Sequence, residues 1–400
     1  MAPSDASGAF PQAPVSLYFH IPFCKVKCIY CDFYSVVHRD EQIPQFLRML
    51  LREFRESRPL PERYDTAETV YLGGGTPSML SGLQLERLLD GIRDVLPLAP
   101  DAEITLEANP GEVDRQRLRD YRRAGVNRVS FGLQSFDDHQ LELLGRLHRS
   151  DQNLPAVAMA REAGFENVSV DLLFHLPDQS LEDFRQDLEQ IIALDVEHIS
   201  IYSLTVERST PLFQYVQDGR VRMSPDDLDA SMYLLLCEEM TAAGYDHYEV
   251  SNFSKPGYHS RHNSNYWNGR HYLGYGPSAH SYDGRRRWWN VRDLSKYLNR
   301  MTVSGSPIEA KEVLDKVTLQ YEYLLTRLRT SAGVDRADWH RTFGEPFPDT
   351  LTTYMAELAG EHPDWLERTG TGWRLTRRGW LFNDSIIQEC TDRLTCEEAV

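Results

Sequence analysis

The sequence predicts an α/β protein: a partial (β/α)6 barrel followed by a small C-terminal domain, α/β or winged-helix-like. Three observations carry that reading. From residue 15 to about 205, short runs rich in Val, Ile, Tyr and Phe alternate with amphipathic helical runs, the pattern of a parallel sheet with right-handed crossovers. Unusual polar and glycine residues (Gly73, Gly74, Gly75, Glu107, Asn109, Gln134, Asp171) gather at the C-terminal ends of those runs. That end is the working face of a barrel, which favours a barrel over a doubly wound sheet. Beyond about residue 305 the alternation has gone and the chain changes character.

The strand runs are VSLYFHI (15–21), TVYLGG (69–74), EITLEAN (103–109), RVSFGLQ (128–134), VSVDLLF (168–174) and HISIYSL (198–204). Most lack strict alternation and are expected to be buried on both faces. Between them, QFLRMLLREFRES (45–57), QLERLLDGIRDVL (84–96), RQRLRDYRRAG (115–125) and LEDFRQDLEQIIAL (181–194) space apolar residues three and four apart, as helices do. A further helix, 226–244, leads into a Tyr/His/Asn/Trp-rich stretch, 245–290. A boundary in VSGSP divides a core over 15–305 from a C-terminal domain over 306–400. In that domain 314–330 reads as a helix and 369–390 as a hairpin followed by a helix. Residues 1–14, rich in Pro, Ala and Ser, are expected to form a flexible leader.

With 400 residues, 41% hydrophobic and 26% charged, the chain can bury a core in each of two domains, which excludes general disorder. No apolar run approaches the roughly 18 residues of a membrane span. A net charge of -17 argues against nucleic acid as a partner. The first 15 residues lack the basic-then-apolar order of a secretory signal, so a reducing cytoplasm is expected, where thiols serve metals or chemistry.

Cys24, Cys28 and Cys31 form CxxxCxxC directly after the first strand. Zinc sites take four ligands, and no second cysteine pair lies nearby in sequence. Three thiolates on one loop suit a [4Fe–4S] cluster with one iron left for an exchangeable ligand. The alternatives are three structural cysteines or a zinc knuckle that recruits His20 or Asp32. Cys237 reads as a small buried residue of a helix, and Cys390 and Cys396 are not expected to form a second metal site.

This loop resembles that of the radical S-adenosylmethionine superfamily. The resemblance implies that S-adenosyl-L-methionine chelates the open iron and can be cleaved reductively to a 5′-deoxyadenosyl radical. YFHIPFCKVKCIYCDF (18–33) and GGGTP (73–77) are similar to the branch containing oxygen-independent coproporphyrinogen III oxidase. ITLEANP (104–110), FGLQSF (131–136), LLGRLH (143–148) and VSVDLLF (168–174) follow in that branch's order. Carried over position by position, the resemblance implies cofactor contacts at Tyr18, Tyr30, Gly74, Gly75, Thr76, Glu107, Gln134, Arg146 and Asp171. Glu107 and Asp171 would take the ammonium or ribose hydroxyls, and Arg146 the carboxylate. On the residues alone, GGGTP is equally a tight turn, and Glu107 with Arg146 an ordinary ion pair.

Two departures narrow the resemblance. The oxidase has a further cysteine where this chain has Phe33, and a longer segment before its cluster than the 23 residues here. Cys31-Asp32-Phe33, SRHNSNYW (260–267), LGYGPSAHS (273–281) and LTRRGWLFNDSII (375–387) resemble instead the HemW heme chaperones. That implies a chain that binds heme and delivers it to an acceptor hemoprotein such as a membrane-bound respiratory enzyme. The cluster and S-adenosyl-L-methionine are retained, and coproporphyrinogen oxidation is not expected. Cleavage of S-adenosyl-L-methionine would call on an electron donor of the flavodoxin or ferredoxin type. A homodimer and a peripheral place at the membrane are compatible with the reading. The alternatives are the oxidase itself and a radical enzyme of another substrate, such as a methyltransferase.

His262 is the candidate axial heme ligand, with Tyr266 and Trp267 able to face a porphyrin; its other reading is a cross-link across the barrel. Where relatives read GLPGQ, this chain has His175-Leu176-Pro177-Asp178-Gln179, expected to be a change in a surface loop; the alternatives are that His175 crowds the substrate cavity or supplies a heme ligand.

Overall fold

The computed structural model describes residues 13–57 and 64–397, so the leader expected over 1–14 lies outside the described residues except for its last two. Residue 13 opens strand β1 (Ala13–Ile21). A short parallel bridge follows, β2 (Phe23–Cys24) with β3 (Val36–Val37). The barrel continues with β4 (Tyr64–Gly74), β5 (Leu98–Ala108), β6 (Arg128–Gln134), β7 (Asn167–Phe174) and β8 (His198–Ser203). β1 and β4 to β8 run parallel in sequence order, and the strand ends lie within one residue of the expected C-terminal ends.

The barrel strands are buried on both faces, as expected, but the two faces differ in chemistry. In β1, Val15, Leu17, Phe19 and Ile21 join the core that includes Phe46, Leu50 and Phe54 of the helix Ile43–Glu56. Ser16, Tyr18 and His20 point the other way, into the barrel. Val129, Phe131 and Leu133 of β6 likewise alternate with Arg128, Ser130 and Gly132, which line the barrel cavity. The interior is therefore polar and the apolar core lies between strands and helices, as in barrels that hold a ligand.

Antiparallel strands extend both ends of the sheet. β9 (Asp246–Glu249) and β10 (Asn252–Ser254) add to β8. β11 (Tyr272–Tyr275) pairs parallel with β1, and β12 (His280–Tyr282), β13 (Arg286–Asn290) and β14 (Ile308–Val313) follow it. The result is one open twelve-stranded sheet with edges at β14 and β9. β14 lies beyond the expected boundary at 305 yet hydrogen-bonds to this sheet. The remaining chain forms β15 (Val334–Asp335), β16 (Leu366–Arg368) and β17 (Gly372–Leu375), in the order β15-β17-β16, with helices around a buried Trp339.

Glu53 fastens the first helix to the antiparallel wing. Its buried carboxyl accepts from the Gly276 amide at 2.9 Å, the Tyr297 hydroxyl at 2.6 Å and Asn290 Nδ2 at 2.6 Å. Burial raises its pKa from 4.5 to about 7. The folded chain therefore holds a proton that the unfolded chain has lost, and this group's contribution to stability falls as pH rises from about 4.5 to about 7. Glu53→Ala strands three donors. Urea unfolding is expected to show a loss of about 2–4 kcal/mol and a flatter dependence of stability on pH across that window.

Candidate cluster and cofactor site

The cysteine loop is closed at its neck by backbone bonds. Val36 N donates to Pro22 O at 2.7 Å and Thr76 N to Phe23 O at 2.7 Å. Gly75 N donates to Ile21 O at 2.9 Å. A Cβ on Gly75 would lie 2.7 Å from Phe23 O, so only glycine lets β4 leave the sheet this close to the loop. Farther out, Ile29 N donates to Leu144 O and Leu212 N to Ile29 O, which pins the middle of the loop.

Cys24, Cys28 and Cys31 all line one cavity with Gly74, Gly75 and Thr76. Among the described residues, no three His, Cys, Asp or Glu side chains are grouped as a single metal ion would require. Thiols spread around a shared cavity suit a cluster whose iron corners stand apart. Burial raises the Cys24 thiol and takes Cys31 to about 11, so these two keep their protons until a metal displaces them. The donor set and its cationic company fit an iron–sulfur cluster. Arg146 directs Nη1 at Cys28 Sγ, 3.7 Å away, and Nη2 to Asn109 Oδ1 at 2.7 Å and Gly132 O at 2.6 Å. Asn109 Nδ2 donates to Thr76 Oγ1, which lies 3.5 Å from Cys24 Sγ. A continuous polar arc thus joins two of the cysteines.

The cluster cavity shares Tyr30, Cys31, Gly74, Gly75, Thr76, Asn109 and Arg146 with a larger cavity of about 550 Å³ inside the barrel. Glu107 and Asp171 lie in its wall. Glu107 accepts from Tyr71 OH at 2.8 Å and Gly74 N at 3.1 Å. It makes no ion pair with Arg146, which sets that alternative aside. Burial lifts Glu107 to about 7 and Asp171 to about 6. Gln134 closes β6 with a left-handed backbone, φ 70°, where the register with β7 shifts.

Family models match the chain twice: the radical SAM superfamily over residues 18–191 and the HemN C-terminal domain over 314–382. The heme chaperone HemW of Bacillus subtilis is 35% identical over 374 residues, 93% of this chain and 98% of that protein. The HemW of Escherichia coli is 37% identical over 383 residues, 94% of this chain and 97% of that protein. The chain belongs to the HemW family. Its fold is also that of coproporphyrinogen III oxidase (HemN) from Escherichia coli, with a TM-score of 0.81 at 23% identity over 96% of this chain and 91% of that one.

In this member of the HemW family, eight of the nine residues carried over as cofactor contacts line the large cavity; Tyr18 does not. Tyr18 lies against a neighbouring cavity and donates its hydroxyl to His20 Nδ1 at 3.0 Å. His262 is a strut. Its Nδ1 is bonded to Thr69 Oγ1 at 2.7 Å and its Nε2 to Tyr266 OH at 2.9 Å, and the ring stacks on Tyr71. With both nitrogens engaged and the side chain buried, His262 takes the form of its other reading, a cross-link across the barrel.

The segment His175–Gln179 is not a surface loop. His175 is buried and bonded through Nε2 to Ser224 O at 3.1 Å, and both His175 and Asp178 have left-handed backbones, φ 57° and 58°. They keep the conformation that suits the family's glycines, at a cost of order 1 kcal/mol each.

Residue patterns alone missed Asn109 as a connector and Arg128 altogether. Arg128 is buried at the start of β6, lines the large cavity and leaves Nε without a partner. Its only sequence signal is a charge opening an otherwise buried strand. Gly75→Ala is expected to push β4 off the loop neck. Thermal unfolding should show a loss of about 1–3 kcal/mol, and iron analysis after reconstitution a lower cluster content.

Proposed function

We propose that this chain binds heme and passes it to acceptor hemoproteins, holding a [4Fe–4S] cluster on Cys24, Cys28 and Cys31 and S-adenosylmethionine in the adjoining cavity. The observation that carries the reading is kinship: proteins named heme chaperone align at 35% and 37% identity with nearly the whole chain. The cavity supports it, with three thiols, two ionisable carboxyls and a fixed guanidinium around one space.

The cluster and S-adenosylmethionine would supply one-electron chemistry when bound. The residues bind and orient. Glu107 and Asp171 would receive the ammonium or ribose hydroxyls, and Arg146, held by Asn109 and the Gly132 carbonyl, the carboxylate. Tyr30, Gln134 and the turn Gly74, Gly75, Thr76 would bound the ligand. We place the protein in the cytoplasm, with heme delivered at the membrane surface to acceptors such as respiratory enzymes. Among the described residues no helix is long and apolar enough to cross a membrane. A flavodoxin- or ferredoxin-type donor would serve if S-adenosylmethionine is cleaved, and the chain would act alone or as a homodimer.

Anaerobic titration of the cluster-loaded protein is expected to show stoichiometric heme binding, with no consumption of coproporphyrinogen III in parallel assays. Consumption would instead assign the chain to the oxidases. A second expectation concerns pH. A cationic ligand prefers ionised carboxyls, and those of Glu107 and Asp171 ionise near 7 and 6. S-adenosylmethionine affinity, read by calorimetry, should therefore rise several-fold from about pH 5.5 to 8, with proton release on binding. Glu107→Gln should flatten that rise.

A further inference from the structure

A second cavity, of about 340 Å³, lies beside the first. It runs from Asp32, Phe33 and Tyr34 of the cysteine loop to Tyr266, along Tyr272 and His280 of β11 and β12. Aromatic rings dominate its wall, and Arg292 stands on it, paired there with Asp32, so that the remaining guanidinium donors would be those offered to a carboxylate arm of a flat macrocycle. A porphyrin exceeds this volume, so one edge would remain outside, as release to an acceptor requires.

Two histidines face this space. His20 is buried, and both its ring nitrogens are bonded, to Tyr18 OH at 3.0 Å and to Tyr34 O at 2.8 Å. His280 is exposed, and among the described residues its ring nitrogens make no hydrogen bond. Its ring lies nearly parallel to that of Trp289, 5.7 Å between centroids at 22°, which sets the plane of the imidazole. Although its side chain reaches solvent, partial desolvation of the ring together with Arg287 and Arg292 lowers its pKa, which leaves a neutral ring at physiological pH.

The backbone is built to bring this residue in. A Cβ on Gly274 would lie 2.2 Å from His280 O, so β12 can fold back over β11 only with glycine at that point. The motif LGYGPSAHS (273–281) thereby gains a physical purpose: its glycines close the segment and its histidine ends on the cavity.

Building on the heme-carrying role proposed above, we infer that His280 is the imidazole that ligates heme iron in this cavity. Arg292 would pair with a propionate, and Phe33, common to both cavities, would separate the heme from the cofactor space.

The test is an absorption-monitored heme titration of the cluster-loaded full chain, for wild type, for His280→Ala, and for His280→Ala with free imidazole. Wild type should take up heme with the spectrum of histidine-ligated iron. The variant should bind at least about tenfold more weakly and lose that signature, and imidazole should restore it. An unchanged spectrum in the variant, whatever its affinity, overturns the assignment to His280 and leaves the heme-carrying role standing. Wild type that takes up no heme overturns the role itself, and this inference with it.

Discussion

The working end of the barrel depends on how closely two backbones meet at the neck of the cysteine loop. β4 leaves the sheet with its Gly75 and Thr76 amides bonded to the Ile21 and Phe23 carbonyls, and no side chain fits between them. That contact holds the start of the loop, while the Val36 amide on Pro22 O holds its end. A loop fastened at both ends has already given up most of its conformational freedom, so placing three thiols around one cavity costs little further entropy. The same contact seats Thr76, and through it Asn109 and Arg146, against the cysteines. Cluster pocket and cofactor cavity are thereby two parts of one rigid arrangement.

The barrel interior answers a different constraint. Glu107 and Asp171 are carboxyls withdrawn into the barrel cavity, and an unpaired charge placed there is costly. They meet that cost partly by shifting toward protonation near neutral pH and partly through the buried cation Arg128. Arg128 keeps one nitrogen without a partner. The stability that permits this comes from the outer layer, where the apolar half of each strand packs on the helices.

The positions of the six strands could be read from the sequence because β-rich runs and amphipathic runs differ in period. Their alternation could not. Ser16, Tyr18, Thr69, Tyr71 and Thr105 are good strand formers that do not look polar enough to mark an interior face, although all lie on one. The cysteines were legible because their spacing is local. The arc from Thr76 to Asn109 to Arg146 was not, since its members are 33 and 37 residues apart and meet only through the fold. His175 was misread because a glycine position taken by histidine looks like a loosened loop. The structure instead shows a buried ring tied to Ser224.

The segment HNSNYW shows how a histidine among aromatic residues can serve the fold. A histidine flanked by Tyr and Trp looks like a heme site, yet Glu103 accepts the Arg261 and His262 amides, and Asn265 reaches Ser16. Those partners lie in the lower layers of β1 and β5, away from the cysteine loop. The short helix Arg261–Trp267 is therefore a floor, and its polar side chains are spent on closing the barrel. A ligand to iron needs the opposite condition: a nitrogen that the fold has left unbonded and a space in front of it. Counting the bonds of each ring against the cavity it faces separates the two histidines of these motifs, where residue pattern put forward His262.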